Sequence, residues 1–410
     1  MAGELLEQTR FIGLDVHKHY IIAVGVDRDK NLVLGPQRVE IVRLEEWARK
    51  RLSAQDAVVL EVTTNAYEVY DALRPLVGSV TMVHPPHVAL VTQVQVKTDE
   101  KAALALAKLH AVGLLEGIWV PPDDVRDLRS LVADRRKLVG MRTQIKNRLH
   151  SVLHRCRVVL PPGGPFSEKN RQWWSSLQLG DLERARISAY LETLDFLEGQ
   201  IDELEACLAR TSGPDPRLPL LIQLPSIGFT IAVTILSAIG PISRFESASK
   251  LVGYAGLGAR VHDSGQTHRS GRITKSGRRE LRAAMVEAAQ NAVRSHPYWQ
   301  EQLARLEPRL GRNKAIVAIA RRLLVVVWHV LSEETADRHA DPRQVARHLL
   351  ALAYKLGLKN LPDARSCGDF TRRELDRLGI GQELSCVEWG RRRPGLPACQ
   401  RSEAVAPNAG

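Results

Sequence analysis

Phe11-Ile-Gly-Leu-Asp-Val16 and Tyr20-Ile-Ile-Ala-Val-Gly-Val26 are two β-rich runs separated by three residues, and their reading decides the fold of the first part of the chain. Short runs of β-branched residues with a tight connection predict a hairpin. A polar segment follows, then a helical patch around Leu44–Leu52. Next, Ala57-Val-Val-Leu-Glu-Val62 predicts a buried strand, Tyr67–Leu76 a helix, Ser79-Val-Thr-Met-Val83 another strand, and Glu100–Ala111 a closing helix. A hairpin followed by alternating strand and helix is a mixed α/β sheet of three layers.

From Asp124 the period changes to seven. Leu131, Leu138, Ile145 and Val152 form one series, with Leu128, Arg135, Arg142 and Leu149 beside it. After the loop Pro161-Pro-Gly-Gly-Pro165, a second helix repeats Ile187, Leu194, Ile201 and Leu208 with Tyr190, Leu197 and Leu204. These are coiled-coil seams. Residues 124–160 carry net +7 and residues 181–210 net −5, so an antiparallel hairpin and an intermolecular coil are both open. A third region from Pro214 to about Leu331 reads as helical with a Gly-rich centre. The tail has a helix around Pro342–Leu356 and is expected to be poorly ordered after Cys386.

At 410 residues the chain exceeds one ordinary domain of roughly 100–200 residues. Hydrophobic residues at 44% and charged residues at 25% exclude a disordered or collagen-like chain. Lys plus Arg outnumber Asp plus Glu by 58 to 46, which favours a polyanionic partner. Five cysteines without a C-x-x-C pair signal neither a disulfide framework nor a zinc site. The N-terminus lacks a secretory pattern. Ala315–Leu331, interrupted by Arg321 and Arg322, is expected to fall short of a membrane span. These features predict a soluble cytoplasmic protein.

Asp15 ends the first strand and Glu61 sits late in an apolar one. A carboxylate there must reach water, pair, or hold a metal. With Asp99 at a helix start, three acids on one sheet edge suit a hard ion such as Mg²⁺, although Asp99 also reads as a helix cap. Paired divalent ions on such acids serve phosphodiester chemistry.

Leu224-Pro-Ser-Ile-Gly228 reads as a turn between helices, either a simple packing element or a holder of a nucleic-acid phosphate. Residues 253–282 are the densest site-like segment, and residues 269–282 alone carry net +5. Glycines at 253, 256, 258, 265, 271 and 277 allow close backbone approach. Ser264 is either a turn former or an exposed nucleophile flanked by arginines. His262 and His268 read as phosphate contacts or surface residues, with a role as bases the alternative. Arg135, Arg136, Arg142, Lys146 and Arg148 on the first heptad helix, with Arg269, Arg272, Lys275, Arg278 and Arg279, are the candidate nucleic-acid contacts. The helix from Arg312 to Trp328 reads as core.

Taken together, Ile12-Gly-Leu-Asp-Val-His-Lys18, Leu60-Glu-Val62, Val96-Lys-Thr-Asp99, Leu224-Pro-Ser-Ile-Gly228, Tyr254-Ala-Gly-Leu257, Asp263-Ser-Gly265 and Ile273-Thr-Lys-Ser-Gly277 resemble, in order, the DEDD-type transposases of insertion sequences, a family that includes the Piv DNA invertases. The resemblance spans about residues 10–331. It implies an α/β RNase H-like (RuvC-like) N-terminal domain over 1–120, a helical coiled coil over 121–213, a mainly α C-terminal transposase domain over 214–335, and a tail over 336–410. It also implies DNA as substrate, Mg²⁺ on Asp15, Glu61 and Asp99, and Ser264 as the nucleophile that forms a 5′-phosphoserine link. Assembly as homodimers and homotetramers, and guidance by a bridge RNA, are further implications.

One position departs from the family pattern. Asp99-Glu-Lys-Ala102 has alanine where the D-x-x-D pattern places its last acid. Residues i and i+3 share a helix face, whereas Glu100 lies about 100° away. Ala102 marks either a natural member with a weakened site or a chain in which the acid was replaced, and the intact remainder favours the second. Both readings predict poor DNA cutting. Two alternatives stay open: a RuvC-like metal-dependent nuclease that uses Ser264 only structurally, and a non-catalytic nucleic-acid-binding protein.

Overall fold

The structure, a computed structural model, describes residues 8–85, 98–264, 267–361 and 363–399, and the side chains of all of these except 261–270. The chain divides into two compact units, residues 1–121 and 122–410.

In the first unit, β1 (Arg10–Val16), β2 (Tyr20–Val26), β3 (Leu32–Glu40), β4 (Asp56–Glu61) and β5 (Ser79–Val83) form one sheet in the order β3-β2-β1-β4-β5. β1, β2 and β3 pair antiparallel, while β4 runs parallel to both β1 and β5. Residues on one strand alternate between faces. Ile12, Leu14 and Val16 share one core with Leu44 and Ala48 of α1 (Leu44–Arg51) and with Ala66, Val69 and Leu73 of α2 (Ala66–Leu73). On the opposite face, Phe11 packs with Ala107 of α3 (Asp99–Ala111). At Arg10, opposite Asp56 in the parallel pair, two hydrogen bonds of 2.6 Å lock the strand starts together. The Asp56 carboxylate is fully buried and also accepts from Ser53 N at 2.7 Å.

Sequence reading places β1, β2, β4 and β5 but leaves β3 as a polar segment. β3 holds Gly35-Pro36 and buries only Leu34 and Val39. It is an edge strand, where one side needs no ladder partner and proline is tolerated.

In the second unit, α4 (Asp123–Arg155) and α5 (Asp181–Ser212) pair antiparallel. Arg135–Glu205, Lys146–Glu198 and Arg155–Glu183 run in opposite sequence directions at 2.7, 3.2 and 2.7 Å. The charge complementarity is thus used inside one chain. A small core at the hairpin end joins Leu149, Val152, Leu153, Ile187 and Leu194 to Trp174, whose indole N–H donates to Pro165 O at 2.9 Å.

The other end of the hairpin enters a large helical core through Leu128, Val132, Leu208 and Ala209. That core is built on α6 (Arg217–Ile222), α7 (Phe229–Ile239), α8 (Ala248–Tyr254), α9 (Arg279–Ser295), α10 (Pro297–Leu310), α11 (Arg312–Glu333), α12 (Pro342–Leu356) and α13 (Cys367–Leu378). Three guanidinium groups cap the C-terminal carbonyls of α7, the groups left without helical partners. Arg129 donates to Ser237 O and Ala238 O at 2.7 and 2.9 Å. Arg244 donates to Ile239 O and Arg217 to Gly240 O, both at 2.7 Å.

Two expectations change here, and one region gains its element. By length and composition α11 is long and apolar enough to cross a membrane, despite Arg321 and Arg322; half of that stretch is buried in the helical core. The Gly-rich centre, to which the sequence assigns no element, forms a two-stranded ribbon, β6 (Ala259–Ser264) and β7 (Thr267–Ile273). The sequence after Cys386, expected to be poorly ordered, makes bridges Cys386–Gly395 and Trp389–Arg392 and buries Val387. Arg372, 2% exposed, holds this segment by donating to Pro397 O at 2.9 Å, and fixes the turn before it by donating to Gly381 O at 2.9 Å and to Leu384 O. Residues 400–410 lie outside the described residues.

Candidate active site

Gly13 sets the geometry of the acidic cluster. A β-carbon there would lie 2.0 Å from Ala103 O and 2.6 Å from Ala107 N, so α3 rests directly on β1 at that point. Two residues on, Asp15 points to the same face, and Asp99 begins α3 one turn before Ala103. The Thr98 hydroxyl accepts from Lys101 N at 3.3 Å and caps the helix. Capping therefore does not occupy Asp99.

The carboxylates of Asp15 and Asp99 and the imidazole of His17 bring one ligand atom each within 4.8 Å of one another. His17 Nε2 lies 3.4 Å from Asp15 Oδ2 and 3.1 Å from Asp99 Oδ2. Neither approach has hydrogen-bond geometry, and this buried nitrogen has no hydrogen-bond partner among the described residues. Tyr20 stacks on His17 with ring centroids 4.6 Å apart and donates its hydroxyl to Asp99 Oδ2 at 3.1 Å. That hydrogen bond to Asp99 holds the Tyr20 phenol above its ordinary value. The Arg38 guanidinium of β3 lies over the Tyr20 ring, 3.7 Å from its centroid.

Glu61 follows Leu60, which is paired with Leu14, so Glu61 and Asp15 are neighbours on one face. Glu61 is not among the three converging ligands. Ala102 occupies the same face of α3 as Asp99 and supplies only a methyl group. The donor set fits a divalent cation. Cis ligands at about 2.1 Å from an octahedral ion are about 3.0 Å apart, close to the two His17 separations.

The second candidate element is the ribbon that carries Ser264. Two segments quoted above interlock at its base. A β-carbon on Gly256, at φ +66°, would lie 2.4 Å from Ser276 O; one on Gly277, at φ +117°, would lie 2.2 Å from Tyr254 O. Only glycine permits both the conformation and the approach. Thr274 N, Lys275 N and Arg278 N donate to Gly258 O, Gly256 O and Tyr254 O at 2.9, 3.2 and 2.9 Å. Arg282 adds a bond to Ala255 O at 2.9 Å. Ser264 is the last residue of β6, opposite Thr267 across the ribbon end. The side chains of Ser264, His262, His268 and Arg269 lie outside the described residues, as does Gly265.

Two family models match the chain: a DEDD-type IS110 transposase domain over residues 12–157, and the transposase family of IS116, IS110 and IS902 over residues 218–304. The pilin gene-inverting protein of Moraxella bovis is 30% identical over 246 residues, covering 58% of this chain and 67% of that protein. The chain belongs to the IS110/IS116 transposase family. The transposase for insertion element IS1111A of Coxiella burnetii is 22% identical over 343 residues, with 81% of this chain and 92% of that one aligned. A probable family 20 transposase of Pseudomonas aeruginosa is 24% identical over 346 residues, covering 80% and 98%. This chain is accordingly an enzyme of DNA recombination, with an N-terminal domain of a class that works with divalent metal.

In the transposase, the candidate nucleic-acid contacts separate by environment. Arg135 is bound to Glu205, and Lys146 lies against Glu198. The bond from Arg148 holds the Tyr190 phenol below its ordinary value. Arg136 lies 3.7 Å from Glu280, with both side chains partly exposed. Arg142 and Arg278 are half-buried, whereas Arg272, Lys275 and Arg279 are exposed.

His17, Tyr20 and Arg38 received no role from the sequence. For His17 a signal existed: its two-residue spacing from Asp15 at a strand end puts both on one face. Tyr20 and Arg38 depend on pairing between β2 and β3, and β3 is not legible beforehand.

Proposed function

We propose that this transposase cuts and rejoins DNA through Ser264, assisted by Mg²⁺ held on Asp15, Glu61 and Asp99 in an RNase H-like (RuvC-like) domain. The observation that carries this reading is the convergence of Asp15 and Asp99 at the end of β1, with Glu61 beside them on β4. A divalent ion bound there supplies positive charge to the scissile phosphate. The Ser264 Oγ attacks phosphorus and the P–O3′ bond breaks. The 3′ oxygen leaves as a hydroxyl with the proton that the serine gives up, and the 5′ end stays esterified to Ser264. A 3′-OH from the partner strand then attacks this ester, which releases the serine and joins the strands.

The ribbon base at Gly256 and Gly277 supports the reading, since it anchors the strand that ends at Ser264. Arg136, Arg142, Arg148, Arg269, Arg272, Lys275, Arg278 and Arg279 hold nucleic-acid backbone. A bridge RNA pairs with target and donor DNA. Homodimers assemble into homotetramers, in which Ser264 of one subunit completes the acidic site of another. The protein works in the cytosol. With Ala102 in place of the fourth acid, strand exchange in Mg²⁺ is slow.

A strand-exchange assay on element-junction DNA, with the co-purified RNA sequenced and supplied, tests this reading. Joined products that disappear in Asp15→Asn and increase in Ala102→Asp are the expected result. Nicking without joined products would move the chain to the nuclease class, and binding without either product to the non-catalytic one.

A further inference from the structure

We infer that His17 is a metal ligand of this chain and that the site accepts a nitrogen-tolerant first-row divalent ion, for which Mn²⁺ is the probe, in preference to Mg²⁺. The inference rests on the proposed role of Asp15 and Asp99 as metal-holding acids and adds a donor that the acid pattern does not contain.

The geometry comes first. The His17 side chain is 36% exposed, but its Nε2 is shielded and faces two carboxylate oxygens at 3.1 and 3.4 Å, with no hydrogen-bond partner among the described residues. A buried polar atom is ordinarily satisfied, and one left orphaned between two acids points at a shared ligand. An imidazolium ion pair would instead direct its N–H along one of the two contacts.

The ring is also held in place. His17 N donates to Tyr20 O at 2.9 Å, and Asn65 Nδ2 donates to His17 O at 3.0 Å. Tyr20 stacks on the imidazole and bonds to Asp99 Oδ2, so one side chain orients two of the donors.

The chemistry of the donor set then separates the cations. Mg²⁺ favours an all-oxygen shell, and Ala102 removes one oxygen donor from this one. A set of carboxylates plus one imidazole suits a first-row transition ion better.

Electron paramagnetic resonance of Mn²⁺ bound to the full chain tests this. Pulsed measurement is expected to show ¹⁴N coupling from a directly bound imidazole in the native chain and none in His17→Gln. The Mn²⁺ dissociation constant should rise about tenfold in His17→Ala and His17→Gln, with the thermal midpoint unchanged. Ala102→Asp should lower by about tenfold the Mg²⁺ excess needed to displace Mn²⁺. Mn²⁺ bound without ¹⁴N coupling, yet lost in Asp15→Asn, would overturn the role of His17 and leave the acids standing. Tighter binding in His17→Ala would also overturn it, by showing that the imidazole obstructs the site. Absence of both Mn²⁺ and Mg²⁺ binding would instead overturn the metal-holding role of the acids.

Discussion

Gly13 and Ala103 stand so close that a β-carbon on the first would lie 2.0 Å from the carbonyl oxygen of the second. The contact joins β1 to α3 one turn after Asp99 and two residues before Asp15. It therefore sets the distance between the two acids as well as the packing of the layer. Gly13→Ala is expected to push α3 away, costing roughly 1–3 kcal/mol of stability. Loss of metal binding should be far larger than that loss of stability implies. Urea unfolding of the variant, set beside Mn²⁺ titration at a denaturant-free concentration, measures both.

Gly256 and Gly277 hold the ribbon base at positive φ against the backbones of Ser276 and Tyr254. Alanine at either position should abolish strand exchange while the first unit keeps its fold. Limited proteolysis is the check: new cleavage between residues 254 and 282, with residues 10–85 and 98–121 still protected, is the expected pattern.

His110 lies 3% exposed against the edge of Phe11, with ring centroids 5.8 Å apart, and burial lowers its pKa to about 4. Its unfolded form takes up a proton near pH 6.5, where the folded form stays neutral. The unfolded chain thus binds more protons between about pH 6.5 and 4, and stability falls as pH falls through that window. The loss is complete near pH 4, where the folded form protonates as well, and is on the order of 3 kcal/mol. In His110→Leu this part of the pH slope should be absent from unfolding curves taken at pH 7, 6, 5 and 4.

Arg135 and Arg272 are both arginines of the basic segments, and they should behave differently. Arg135 lies 2.7 Å from Glu205 and is 21% exposed, so Arg135→Ala should lower the unfolding midpoint and leave the salt dependence of nucleic-acid binding unchanged. Arg272→Ala and Arg279→Ala remove exposed charges. Each should reduce the slope of log K against log salt by about 1 with little change in stability. Filter binding across a salt series distinguishes the two classes.

The parts of the fold legible in advance share one property: an uninterrupted apolar signal. Phe11–Val16 and Ala57–Leu60 are near-continuous apolar runs, as strands buried on both faces require, so β1 and β4 and the acids at or next to their ends could be placed from residues alone. The heptads of α4 and α5 were equally plain, but a heptad does not say which helix it faces; Arg135–Glu205 and Arg155–Glu183 settle the antiparallel pairing within the chain. β3 was hidden by Gly35-Pro36, which an edge strand tolerates. β6 and β7 were hidden because Ala259–Ile273 is rich in Gly, Ser, His and Arg and carries no apolar alternation. α13 was missed because its turns bury polar residues, Arg372 and Asp376 among them, whose partners lie on the segment that follows or on the helix itself. His17 stood in a quoted motif without a role, since its meeting with Asp99 depends on where α3 crosses the sheet.

The most direct test of the serine mechanism is a trapped covalent link. The full chain with Ala102→Asp, its RNA and Mg²⁺ or Mn²⁺ would be incubated with junction DNA nicked so that the freed 3′ strand diffuses away. The protein would then be digested and the DNA-linked peptide sequenced by mass spectrometry. A phosphodiester-linked peptide containing Ser264, absent from Ser264→Ala and from Asp15→Asn, is the result expected. Cleaved DNA with a free 5′-phosphate and no linked peptide would contradict the account.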